Sequence, residues 1–151
     1  MKLKRGYQYI FYLLYKLVEE YSIPKFWSDW KAVVLMDVLC VFFIFPLFLY
    51  YSIITGLPAF PDNKWIIGLF FLFLVCVPNY YMFNYRSRWK SIVKSFDNIP
   101  SGRKIINKLI GWTVVVLVTV HMVFSFFMLD LKARRNHTGP YSKEYLEQKR
   151  W

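Results

Sequence analysis

The stretch Ala32-Val-Val-Leu-Met-Asp-Val-Leu-Cys-Val-Phe-Phe-Ile-Phe-Pro-Leu-Phe-Leu-Tyr-Tyr-Ser-Ile-Ile54 carries a single charged side chain, Asp37. A hydrocarbon core about 30 Å thick is crossed by about 20 helical residues rising 1.5 Å each, and this run has that length. Two comparable runs follow, Trp65 to Phe83 and Ile110 to Leu129, each bounded by charge. A soluble chain of 151 residues would divide its helices into apolar and polar faces rather than repeat apolar cylinders. The expected fold class is an all-α integral membrane protein with three transmembrane helices at 32–54, 65–83 and 110–129. The polar segments between them are too short to fold alone, so residues 1–151 form one membrane domain.

Two flanking segments are amphipathic and too polar to span. In the first, 7–23, Ile10, Leu14, Leu17, Val18 and Tyr21 share one helical face, with Tyr12, Lys16 and Glu19 opposite. It is expected to lie in the interface, with Lys16 and Glu20 spaced for an i,i+4 pair. The second, 85–97, carries Trp89, Ile92, Val93 and Phe96 at i, i+3, i+4 and i+7 beside Arg86, Arg88, Lys90 and Lys94. Its apolar stripe is expected at the inner headgroup boundary. Its cations then face anionic lipid, each contributing about 1 kcal/mol, or serve only as a positive-inside clamp.

Lys and Arg number six before the first span, one in the Thr55 to Lys64 loop, seven from Asn84 to Ile110 and six after Leu129. A cytoplasmic N-terminus places thirteen inside against seven outside, the orientation that the positive-inside rule favours. Lys132, Arg134 and Arg135, in the polar basic tail 130–151, oppose it. Only a third run that dips in and returns would bring that tail inside, and this run is long enough to cross. Gly56, Pro58, Pro61 and Asn63 make the 55–64 loop a turn. Tyr50, Tyr51 and Trp65 form one aromatic belt, and Trp27, Trp30, Tyr85, Trp89 and Trp112 the other.

Asp37, Asn79 and His121 are the intramembrane polar residues. An ionisable group there costs about 2.5 to 3.5 kcal/mol on insertion scales, so each needs a partner or a task. At 1.5 Å per residue, Asp37 lies about 8 Å and Asn79 about 6 Å from the cytoplasmic ends of their spans, nearly level with each other. Pro46 and Pro78 are candidate helix kinks, freeing the carbonyls of Phe42 and Leu74. A hydrogen-bonded contact between spans one and two follows. His121 sits about 16 Å into span three, too deep for a direct pair with Asp37.

Other classes leave no signature. Lys2, Lys4 and Arg5 precede an apolar stretch, but Lys16, Glu19 and Glu20 interrupt it and no small-residue cleavage site follows, so the N-terminus is expected to be retained. Cys40 and Cys76 lie in separate spans without the spacing of a disulfide or metal framework. No metal or cofactor is expected. The chain has no His-Glu-x-x-His, Gly-x-Ser-x-Gly or phosphate-cradling glycine loop, and it reads as a non-enzyme. A net charge of +11 would suit nucleic acid in a soluble protein, yet here the cations flank the spans, so lipid headgroups are the expected anionic partner. Asn136-His137-Thr138 matches a glycosylation acceptor and reads equally as a polar turn.

The segments Phe26-Trp-Ser-Asp-Trp-Lys-Ala32 and Phe96-Asp-Asn-Ile-Pro-Ser-Gly-Arg-Lys-Ile-Ile-Asn-Lys-Leu-Ile-Gly111 resemble recurrent stretches of a family of short, uncharacterised three-span bacterial membrane proteins. That resemblance implies a bacterial inner membrane and, because some such proteins are encoded beside toxins, an immunity or accessory role. Locally, Ser28 or Asp29 is expected to cap span one, and Ser101 to open a short helix leading into span three. Bulky spans poor in small residues expose much surface, which suits a membrane-protein partner or a homo-oligomer. The expected function is therefore binding. The alternative is an oligomeric channel or proton-linked transporter that uses Asp37 and His121.

Overall fold

The computed structural model describes residues 3–24, 27–61 and 63–142. Among these the chain is mostly helical, without a strand. Helix α1 covers Leu3–Tyr21 and α2 Ser28–Thr55, and α3, Lys64–Phe71, opens the second span. That span continues through a π-helical turn (Leu72–Cys76), a short α stretch α4 (Val77–Asn79) and a second π-helical turn (Tyr80–Asn84). After a 3-10 turn at Tyr85–Ser87 come α5 (Arg88–Asp97), α6 (Ser101–Asn136) and a last 3-10 turn at Gly139–Tyr141. Three helical stretches, Ser28–Thr55, Trp65–Asp97 and Gly102–Asn136, are long and apolar enough to cross a membrane, so the protein is an all-α, multi-pass membrane protein.

The termini of these elements follow from local chemistry. Helix α2 starts at Ser28, with Trp27 left-handed before it and the Trp27 carbonyl accepting from Lys31 N–H at 3.0 Å. Ser28 and Asp29 therefore sit inside the first turn rather than at the cap, and Asp29 complements the positive end of the helix dipole. Gly56 ends α2 at φ +75°, where the absence of a Cβ removes the left-handed penalty, and donates to Ser52 O at 3.0 Å. Asn63 caps α3, its Oδ1 accepting from Trp65 N–H at 3.0 Å. Two successive left-handed residues, Arg86 (φ 54°) and Ser87 (φ 52°), turn the chain from span two into α5.

Pro78 has no N–H to give the carbonyl of Leu74, and the helix ladder changes register on both sides of it. The Val77 N–H reaches back five residues to Leu72 O, and the Tyr85 N–H five residues to Tyr80 O. Helix α2 instead passes through Pro46, which is buried, without interruption.

Helix α6 differs from its expected bounds. It is 36 residues long, about 54 Å, and absorbs both the expected short helix at 101 and the start of the tail. One unbroken helix leaves no turn for a segment that dips in and returns. It closes on a Schellman motif: His137 is left-handed, Thr138 N–H reaches Ala133 O at 3.0 Å and His137 N–H reaches Arg134 O at 3.3 Å. The polar turn at Asn136-His137-Thr138 is thus a helix stop. Residues 143–151 of the tail and Phe26 lie outside the described residues.

The core sits at one end of the bundle, where span two ends, spans one and three begin and α1 is inserted. Five consecutive α1 residues, Phe11 to Tyr15, are buried. The expected division of 7–23 into one apolar face, with Tyr12 on the opposite side, is corrected here. Helix α1 is enclosed by α2, α5, α6 and the end of span two, and Tyr21, assigned to the apolar face, is exposed. Phe11 stacks on Phe83 at 4.1 Å between ring centroids, and Tyr9 meets Phe96 edge-on at 5.1 Å. Gly111 of α6 admits α1: a Cβ there would overlap Leu13 Cδ1 and touch the Tyr9 ring at 3.4 Å.

Candidate functional site

The apolar stripe on α5 lies against α1, correcting its expected place at the headgroup boundary. Ile92 and Phe96 are buried, Trp89 and Val93 pack against the same core, and Tyr15 sits 5.3 Å from Trp89. The two amphipathic helices bury each other's apolar faces, and each large side chain so covered contributes about 1.5 to 3 kcal/mol. The pair is stitched at its edge by Tyr12, whose hydroxyl donates to Asp97 Oδ1 at 2.8 Å. Burial, reinforced by that carboxylate, pushes the Tyr12 phenol above its ordinary value. Lys16 pairs with Glu19 at 3.2 Å and Asp97 at 3.5 Å, replacing the expected Glu20 partner.

The cations of this segment remain outside. Arg86 and Arg88 both lie over the Tyr85 ring, at 5.2 and 5.4 Å, and Arg88 also donates to Tyr81 O at 3.2 Å. Lys90 lies 5.6 Å from the Trp89 ring centroid, and Lys94 is exposed on the last turn of α5.

Asp37 and Asn79 meet, as their matched depths require. Asn79 Nδ2 donates to Asp37 Oδ1 at 2.6 Å, and Cys40, one turn after Asp37, lies 3.8 Å from the same nitrogen. Cys76, one turn before Asn79, adjoins Asp37. A member invisible to span-by-span reading completes the group: the Tyr7 hydroxyl of α1 donates to Asn79 Oδ1 and lies 3.1 Å from Cys40 Sγ. The amide of Asn79, itself buried, thus uses its oxygen and its nitrogen toward different elements. This arrangement locks three helices together. Among the described residues no three His, Cys, Asp or Glu side chains are placed to hold a metal ion.

His121 belongs to a separate place. Its Nδ1 lies 3.5 Å from the Tyr50 hydroxyl, its ring is 6.3 Å from Phe43, and its buried Nε2 has no protein hydrogen-bond partner. Among the described residues no hydrogen bond or ion pair joins it to Asp37.

A second unanticipated tie is Lys132. Its ammonium donates to Ser52 O at 2.8 Å and Ile53 O at 2.9 Å, two carbonyls at the C-terminal end of α2. The ammonium joins the Gly56 N–H on Ser52 O, supplies a donor to Ile53 O and complements the negative end of the helix dipole. Next to it, Asp130 accepts from Arg134 at 2.9 Å and from the Tyr141 hydroxyl at 2.8 Å, so the start of the tail folds back on α6. No protein-family model, curated protein or solved structure matches the chain, in keeping with a resemblance that reaches only uncharacterised proteins.

Proposed function

We propose that this chain is a non-enzymatic protein of a bacterial inner membrane that acts by binding another membrane protein, as an immunity-like protector or an accessory subunit of a complex. The observation that carries this reading is the openness of the bundle. Spans two and three pack on α2 from different sides, and almost all of the apolar stretch of α6 is uncovered. Leu117, Val120, Phe124 and Phe127 project from it. Lipid can solvate such a face, and so can a partner helix, without a hydrophobic penalty separating the two.

A photo-crosslinking residue at Leu117 or Phe124 in cells tests this. A discrete adduct heavier than 18.3 kDa by a constant foreign mass supports a partner, and one of doubled mass makes the partner a second copy. Lipid adducts alone from every position on α6 would sink the reading. A cytoplasmic N-terminus is supported by the thirteen-to-seven distribution of basic residues and by α1 and α5 packing at one end of the bundle. Labelling of a cysteine at 91 by an impermeant reagent in intact cells, on a background without Cys40 and Cys76, would overturn that orientation.

The competing channel reading draws on the unpartnered Nε2 of His121. Proton or ion flux in liposomes that Asp37→Ala or His121→Ala abolishes would replace binding with conduction.

A further inference from the structure

A cleft of about 850 Å³ opens between the first turn of α1, the end of α5 and the start of α6. Its rim carries three exposed cations, Lys4 and Arg5 from α1 and Arg103 from α6, and its floor contains Phe96 and Ile99. A second cleft of about 550 Å³ shares Lys4 and Gln8 with the first, adds Arg88, and runs down to Pro78 and Tyr81 of span two. Among the described residues no acid lines either cleft, and Lys4, Arg5 and Arg103 take part in no ion pair. Two acids near them in sequence are engaged elsewhere: Glu19 and Asp97 hold Lys16, and Asp97 also holds Tyr12.

Position decides the kind of anion. Arg103 precedes Ile110, the start of the third apolar run, by about 10 Å along α6, which sets the cationic rim at headgroup depth. From there the exposed side chains of Ile106 and Ile110 lead along α6 toward the hydrocarbon core. A free phosphate would use only the rim. A molecule with a phosphate at one end and acyl chains at the other uses rim, floor and helix face together.

We infer that this cleft is a discrete binding site for an anionic phospholipid, with Lys4, Arg5 and Arg103 holding the headgroup phosphate and the acyl chains descending past Ile106 and Ile110. The inference rests on the protein lying in a membrane and is independent of any protein partner. It is also distinct from general attraction of Lys90 and Lys94 to the membrane surface, because those two α5 cations line neither cleft.

The full chain in dodecyl maltoside micelles, titrated with phosphatidylglycerol or phosphatidylcholine and read by native mass spectrometry, tests it. One phosphatidylglycerol is expected to remain bound under conditions that strip phosphatidylcholine. At about fivefold per cation near a charged surface, Lys4→Gln, Arg5→Gln and Arg103→Gln together should lower that affinity about a hundredfold, while Lys90→Gln with Lys94→Gln changes it less than about threefold. All five side chains are exposed, and an unchanged thermal midpoint verifies that the variants fold. An equal loss in both variants would reduce the site to diffuse charge, and no loss in the triple variant would remove it. Displacement of phosphatidylglycerol by millimolar inorganic phosphate would make it a soluble-anion site and overturn the lipid assignment.

Discussion

The two ends of this bundle are built on different principles. At the end where α1 enters, seven aromatic and aliphatic side chains of α1 are buried against α2, α5, α6 and span two, and the polar tips of Tyr7 and Tyr12 are spent on Asn79 and Asp97. At the other end, α2 and α6 are held by Lys132 on two carbonyls and by aromatic contacts such as Phe45 with Phe126 at 6.1 Å, while the flank of span two stands uncovered. The first end resembles the core of a soluble domain placed at a membrane surface. The second relies on whatever surrounds it. Packing density, and with it sensitivity to substitution, should therefore fall along the bundle axis.

The largest expected effect is at Phe83, fully buried and stacked on Phe11. Phe83→Ala should cost about 3 to 5 kcal/mol in reversible unfolding in mixed micelles. Phe73→Ala, at a residue 67% exposed on the same span, should cost less than about 0.5 kcal/mol. Equal losses at the two positions would erase the contrast between the ends.

Next is Asn79. Asn79→Leu removes a bridge between α1 and α2 and leaves Asp37 and Tyr7 without their shared partner, for an expected loss of about 1 to 3 kcal/mol. A double-mutant cycle with Tyr7→Phe sharpens this, since coupling of about 0.5 kcal/mol or more marks a joint network and additivity marks two separate contacts. At the opposite end, Lys132→Met keeps the stem and deletes the ammonium from the α2 terminus. A loss of about 1 kcal/mol is expected, and no change would mean that side-chain packing alone holds α2 beside α6.

The smallest effect near neutrality concerns Tyr12. Its folded-state pKa is raised, so its contribution is fully present below the unfolded value of about 10 and is lost as pH rises through the folded value. Wild type and Tyr12→Phe should therefore differ by a constant amount up to about pH 10. Above it, the stability of wild type should fall toward or below that of the variant. A tyrosine absorbance titration in which Tyr12 ionises at the ordinary value would contradict the buried contact with Asp97.

What the sequence discloses follows from how local the governing physics is. The spans are legible because crossing hydrocarbon demands a continuous apolar run, a property each segment carries alone. Asp37 and Asn79 are legible as a pair because 1.5 Å per residue converts position into depth. Helix α1 reads incorrectly for the opposite reason. A stripe of Ile10, Leu14, Leu17, Val18 and Tyr21 presumes one buried face, whereas Phe11, Tyr12 and Leu13 are buried because α2, α5, α6 and the end of span two enclose the helix, a circumstance no window of α1 contains. Tyr7 lies on α1, outside the spans, so depth within the spans cannot disclose it as a partner of Asn79. Lys132, weighed as a topological charge, turns out to be a cap on another helix. Trp89, Ile92, Val93 and Phe96 form the amphipathic stripe expected of them, but the periodicity of α5 cannot say whether lipid or α1 covers it.

Gly111 has a consequence for the chronology of biosynthesis. The surfaces that enclose α1 are encoded after it: Ala32, Val33 and Met36 first, then Phe83, then Phe96, and finally Gly111, the position that lets Leu13 approach α6. At a synthesis rate of about 5 to 20 residues per second, about 5 to 20 s separate the emergence of Leu13 from that of Gly111. During that interval the aromatic side chains of α1 have only part of their final enclosure. A newly made chain must shelter them at the bilayer surface or on the insertion machinery, and the arrival of a single residue without a side chain ends the wait.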